Sequence, residues 1–217
     1  MHTGVDPEQA FRPQATAIHA LPGGPYNSAM SILKVARMGH PVLRAKARRL
    51  EKADLKSAAV QQLIDDMIDT MAEYHGVGLA APQVHEGLRL FVAAIDPSED
   101  EGETEDDSDS EDEGDPEPLA IINPEITVVG EDVVDDWEGC LSIPDLRGRV
   151  PRAREIVLRA LDRSGDPIEF RAHGFTARVL QHEADHLDGV LFFDRMKSFD
   201  SLTFLEEYSR YWRKTDD

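Results

Sequence analysis

Residues 181–186 read Gln181-His182-Glu183-Ala184-Asp185-His186, and the four-residue spacing of the two histidines is the most informative pattern in the chain. On an α-helix, positions i and i+4 share a face, so both imidazoles can bind one metal ion. Glu183 then projects beside the metal rather than onto it, where it can handle the proton of a water molecule. Histidine ligands, a carboxylate base and room for water together suit metal-assisted hydrolysis. The helix is predicted over 175–188. Gly174 precedes it, Gly189 can cap its C-terminus, and Val179, His182 and His186 lie on one face.

Periodicity and turn residues supply the elements around this helix. Leu63, Ile64, Met67, Ile68, Met71 and Ala72 recur at helical spacing, predicting a helix capped by Asp54 or Ser57 and ended by His75-Gly76. Its methionines read as core filling. Short strands are predicted over 89–95 and 119–122. Two more, over 155–161 and 168–172, are joined by the turn Asp162-Arg163-Ser164-Gly165-Asp166. Ordered chain is expected from 31–35, with a turn at Gly39-His40-Pro41. A last amphipathic helix is predicted over 200–212 through Leu202, Leu205, Tyr208 and Trp212. Strands placed before and between helices, without a regular βαβ rhythm, indicate an α+β fold.

The chain has 217 residues and a formal net charge of −20, but the charge is unevenly spread. Residues 99–117 hold thirteen Asp or Glu and no Lys or Arg, so the remainder carries only about −7. A segment this polar cannot bury enough apolar surface to fold, and 98–117 is expected to be a disordered acidic insertion. Residues 1–27, rich in Pro, Gly, Ala and His, read as a poorly ordered N-terminal tail. The remaining 28–217 is expected to form a single catalytic domain. An acidic surface argues against specific nucleic-acid binding, although 37–56 contains several basic residues. No apolar run suggests a membrane span, and no secretory signal is visible. A cytoplasmic location is therefore expected.

Two further segments carry chemistry. Glu138-Gly139-Cys140-Leu141-Ser142 sets the only cysteine beside a glycine that permits close backbone approach. A free cysteine is often just a small buried hydrophobe, but here it joins a histidine pair as a candidate ligand. Gly76-Val77-Gly78-Leu79-Ala80-Ala81-Pro82-Gln83 is a loop of small residues that ends in an amide side chain.

Taken in order, these three blocks resemble the signature motifs of the peptide deformylases, and the likeness runs from about Ile32 to the C-terminal helix. The resemblance implies mixed or antiparallel sheets packed around a central metal-binding helix. It implies Cys140, His182 and His186 as metal ligands and Glu183 as general base. Gln83 and the backbone N–H of Leu141 would be the oxyanion donors, Gly78 a backbone contact for the peptide, and Val77 part of the methionine pocket. The implied reaction removes the N-formyl group from the initiator methionine of new polypeptides and releases formate. The implied metal is Fe(II), with zinc or another divalent ion able to occupy the site. The implied partners are N-formylmethionyl nascent chains, with the ribosome near its exit tunnel as a further contact.

Several nearby residues leave two readings open. Asp185 suits a supporting or helix-stabilising role better than catalysis. Arg147 fits either a place near substrate or a salt bridge, and Trp137 reads as packing. Phe175 and Val179 fit either pocket walls or ordinary helix burial. His75, His85 and His173 show no ligand spacing with one another. Two other functions share part of the pattern: a zincin-type metallopeptidase, which uses the same helix motif, and a non-enzymatic interaction protein stapled by metal. Zincins take a later His or Glu as third ligand, and a structural metal site normally closes with four protein ligands.

Overall fold

The computed structural model describes residues 31–95 and 116–213. The expected N-terminal tail and residues 98–115 of the acidic insertion lie outside the described residues. After a one-turn helix, α1 (Lys52–Leu55), the predicted long helix forms as α2 (Ala58–Glu73). Ser57 is its N-cap, with the hydroxyl accepting from the Val60 N–H at 3.3 Å. Val60, Ile64, Met67 and Met71 lie buried along one face, as their spacing predicts.

That face covers a five-stranded antiparallel sheet. Its strand order is β1 (Gly78–Ala80), β2 (Leu90–Ala93), β3 (Leu119–Val128), β6 (Glu155–Leu161) and β7 (Pro167–His173). Alternation along β2 shows how the sheet is used. Leu90 and Val92 pack with Val60, Ile64 and Met67 of α2, while Phe91 and Ala93 pack with Ile156, Leu158, Ala177 and Leu180. The last two belong to α3 (Gly174–Leu187), the predicted metal helix. The sheet thus lies between α2 and α3, apolar on both faces, and α3 is a central element. Gly189, with φ of +73°, turns the chain just beyond its C-terminus.

A second antiparallel sheet joins β4 (Val133–Cys140), β5 (Ile143–Ala153) and β8 (Thr203–Phe204). A smaller core of Leu43, Ile143, Val150, Leu191 and Phe192 fastens it to α4 (Phe192–Arg195). Hydrophobic pattern did not foretell the β4–β5 hairpin, which carries Cys140 at its turn. The strand expected over 119–122 continues to Val128, with a register shift near Asn123. Asn123 sits at φ +53° and uses its side-chain amide both to donate to and to accept from the Leu50 backbone, each at 2.9 Å.

The helix expected over 200–212 needs correction. Thr203 and Phe204 pair with Arg147 and Leu146 as β8, so the last helix, α5, spans only Leu205–Tyr211. Backbone pairing with β5 wins there over helix propensity. None of the helices is long and apolar enough to cross a membrane among the described residues.

Candidate metal centre

Helix α3 and the β4–β5 turn bring three ligand-type atoms together. The sulfur of Cys140 and one nitrogen each from His182 and His186 all lie within 4.8 Å of one another. Cys140 Sγ is 3.2 Å from His186 Nε2. The i, i+4 spacing places the imidazoles edge to face, with ring centroids 5.0 Å apart. Between Glu138 and Cys140 the β4–β5 register shifts, and this irregularity turns the cysteine toward the helix. Among the described residues no other cluster of this kind occurs.

Electrostatics favour the thiolate form of the sulfur. Burial pushes the Cys140 thiol up, but the His186 and His182 imidazoles outweigh that effect and keep it well below its ordinary value. Burial pushes His182 down, yet hydrogen bonds to Cys140 and Glu138 raise it well above an ordinary histidine. The site thus sets a sulfur biased toward its thiolate form against two imidazole nitrogens. That donor set suits a borderline divalent metal. Two buried polar atoms in the site, His186 Nδ1 and Glu183 Oε2, have no hydrogen-bond partner. Of the two, the Glu183 oxygen is the one that a bound water or substrate would satisfy.

Glu138 supports the cluster from behind, a role that reading the sequence did not assign. Its Oε2 lies 2.9 Å from His182 Nδ1, which leaves Nε2 free to serve as a ligand atom. The same carboxylate accepts from Arg152 Nε and Nη2 at 2.9 and 3.0 Å and from Arg178 Nη1 at 2.8 Å. All three side chains are buried. Burial pushes Glu138 up, but the hydrogen bonds from His182 and Arg152 hold it down at about 2. Arg152 also donates to Asp185 at 2.5 Å, and Arg195 pairs with the same carboxylate at 2.7 Å. Asp185 therefore belongs to this supporting network and not to the ligand-type cluster.

Gln83 lies buried in the one-turn helix Ala81–Val84. Its Oε1 accepts from the Ala80 N–H at 2.7 Å, which fixes the flip of the amide. Nε2 is then turned inward, 3.3 Å from Ser142 Oγ and 3.5 Å from Cys140 Sγ. Glu183, 4 % exposed, sits across from Gly78. Burial pushes its carboxyl up, and the two imidazoles only partly pull it back. A Cβ at residue 78 would stand 2.4 Å from Glu183 Oε1 and 2.7 Å from Cδ, so only glycine leaves room for the carboxylate. Gly78→Ala is expected to displace Glu183 and lower turnover up to about a hundredfold, by the sensitivity of catalysis to ångström-scale misplacement. Steady-state kinetics together with metal content of the variant would check this, since metal binding should survive.

A cleft of about 690 Å³ opens over these groups. Its walls include Val77, Leu141, Phe175 and Val179; exposed Phe175 follows the pocket reading alone, whereas Val179 both lines the cleft and joins the main core. Trp137 lines the cleft as well as packing edge-on against Tyr208, at a centroid distance of 5.0 Å. Arg147 also lines it, with its guanidinium lying against Gly139 and Nη1 donating to the Leu146 carbonyl at 2.9 Å. His75 reaches the rim, whereas His85 packs against His40 and His173 lies 3.7 Å from Glu155. A second cleft of equal volume lies on the far side of α3 beside Lys46, Arg49 and Arg195, and contains none of the three ligand-type residues.

Known proteins resemble this chain over most of its length. The model of the family described as polypeptide deformylase matches residues 32–201. Peptide deformylase 2 of Nostoc sp. is 42 % identical over 177 residues, covering 82 % of this chain and 93 % of the relative. The peptide deformylase of Salinibacter ruber is 44 % identical over 168 residues, or 77 % and 82 % of the two chains. Among solved structures, a Met-Ala-Ser-bound class I type b peptide deformylase from Acinetobacter baumannii superposes with a TM-score of 0.67. It is 36 % identical, and the match covers 77 % of this chain and all of the other.

Proposed function

The chain belongs to the polypeptide deformylase family, and from that premise we propose a role in formyl removal for each group in the cleft. It is an enzyme that hydrolyses the N-formyl group from the methionine of new polypeptides. One water enters, the formamide C–N bond breaks, and formate and a free amine leave. The family and its relatives lend nothing to a zincin-type peptidase or a non-enzymatic interaction protein. The observation that carries the reading is the convergence of Cys140, His182 and His186 beside a buried, unpartnered Glu183 oxygen.

Cys140, His182 and His186 would hold the metal, and Fe(II) is the ion we assign, with zinc or another divalent ion as substitute. Bound there, it supplies the Lewis acidity that makes water a nucleophile near neutral pH. Glu183 takes a proton from the attacking water and returns it to the departing amine nitrogen. Gln83 Nε2 and the Leu141 N–H donate to the oxygen that gains charge as the carbonyl carbon becomes tetrahedral. Gly78 meets the peptide backbone, and Val77, Phe175 and Val179 wall the methionine side chain. Residues 28–217 act as one catalytic domain, working in the cytoplasm on nascent chains at the ribosome.

The test is formate release from formyl-Met-Ala-Ser by anaerobically prepared protein, alongside its metal content. Cleavage of an internal peptide bond without formate would overturn the assignment. Replacing Gln83 with Ala should cost about 10²–10³ in kcat with KM little changed, because the lost donor acts on charge that develops only in the transition state. A loss confined to KM would remove Gln83 from that role.

A further inference from the structure

The C-terminal segment contributes to the cleft although it contributes almost nothing to the core. No residue of α5 is buried. The segment is held by the short pairing of β8 with Leu146 and Arg147 and by a Ser201 hydroxyl that accepts from the Arg149 N–H at 3.0 Å. Trp137 of β4 also holds it, meeting Tyr208 at 5.0 Å and Trp212 at 5.9 Å between ring centroids. These contacts set α5 against the second sheet so that Leu205, at its first position, lines the cleft with Trp137, Phe175 and Val179.

The walls around Leu205 differ in rigidity. Val179 stands on α3, which is fixed by the main core and by the buried Arg178–Glu138 pair. Phe175 is 64 % exposed, and Leu205 is carried by an element with few buried contacts. An apolar side chain on a weakly anchored element is the part of a pocket that most readily changes its width. We propose that Leu205, held in place by the Trp137–Tyr208–Trp212 cluster, forms the outer wall of the side-chain pocket and sets how bulky the formylated residue can be. This inference rests on the deformylase reading and adds a specificity determinant to the same site.

The experiment compares kcat/KM for formyl-Met-Ala-Ser and formyl-Phe-Ala-Ser in the parent chain, Leu205→Ala and Leu205→Trp. The ratio of the two constants does not depend on how much of a preparation is folded, so general destabilisation cannot imitate the result. Removing the leucine branch should raise the Phe-to-Met ratio about tenfold, the scale of a methylene-sized change in an apolar pocket. Filling the position with Trp should lower that ratio by a similar factor, with most of the loss for the Phe peptide in KM. A ratio within twofold of the parent in both variants would overturn the proposal. A parent chain that releases formate from neither peptide would instead overturn the deformylase reading beneath it.

Discussion

Glu183→Gln should lower turnover of formyl-Met-Ala-Ser by about 10²–10⁴, the usual cost of losing a positioned general base, while metal content stays at the level of the parent. The substitution nearly preserves volume, so the tight packing against Gly78 survives. It removes only the ability to take up a proton. Burial makes this carboxylate a stronger base than an exposed glutamate, because its charged form is poorly solvated. None of the hydrogen bonds in the structure engages Oε2, so no structural contact competes for it. Metal analysis and steady-state rates on one preparation would check the prediction. A variant that keeps both metal and full turnover would show that the proton goes elsewhere, whereas one that loses metal would make Glu183 part of the binding set.

The contrast between Glu183 and Glu138 shows what the sequence could reveal. Glu183 is legible because its proposed role depends on spacing: two histidines four apart place the residue after the first beside any metal they would share. Helix α2 is legible for the same reason, through Val60, Ile64, Met67 and Met71. The β6–β7 hairpin is marked by its Asp162–Asp166 turn residues. Strand β4 offers no such signal. Its Val133 and Val134 are exposed, and the residue it buries is the charged Glu138. A buried carboxylate makes sense only with its counter-charges, and Arg152 and Arg178 lie 14 and 40 residues further along the chain. That pairing is long-range information, absent from local pattern. The late start of α5 has a similar cause, because Thr203 and Phe204 are claimed by β5 from more than fifty residues away.

Glu138→Ala should be the most destabilising single change in the second sheet, costing roughly 3–5 kcal/mol, as expected when one partner of a buried ion pair is removed. Arg152 would be left buried with Nε and Nη2 unmatched, Arg178 would lose its carboxylate counter-charge, and His182 would lose the acceptor that orients it. For a chain of this size the melting temperature should fall by on the order of 10 °C. Acid sensitivity gives an independent check of the cause. Glu138 is held at about 2, below its ordinary 4.5, so the folded state binds the proton less readily than the unfolded one. Its contribution is fully present above about 4.5 and disappears as pH falls toward 2. The parent should therefore lose stability steeply over that window, by roughly 3 kcal/mol from this group. Glu138→Gln, which cannot titrate, should show a shallower acid limb. The same variant should weaken metal binding by about 10–100-fold through misorientation of His182. Denaturant melts at stepped pH and a metal-competition titration would measure both effects. An acid limb as steep in Glu138→Gln as in the parent would assign the titration to another carboxylate.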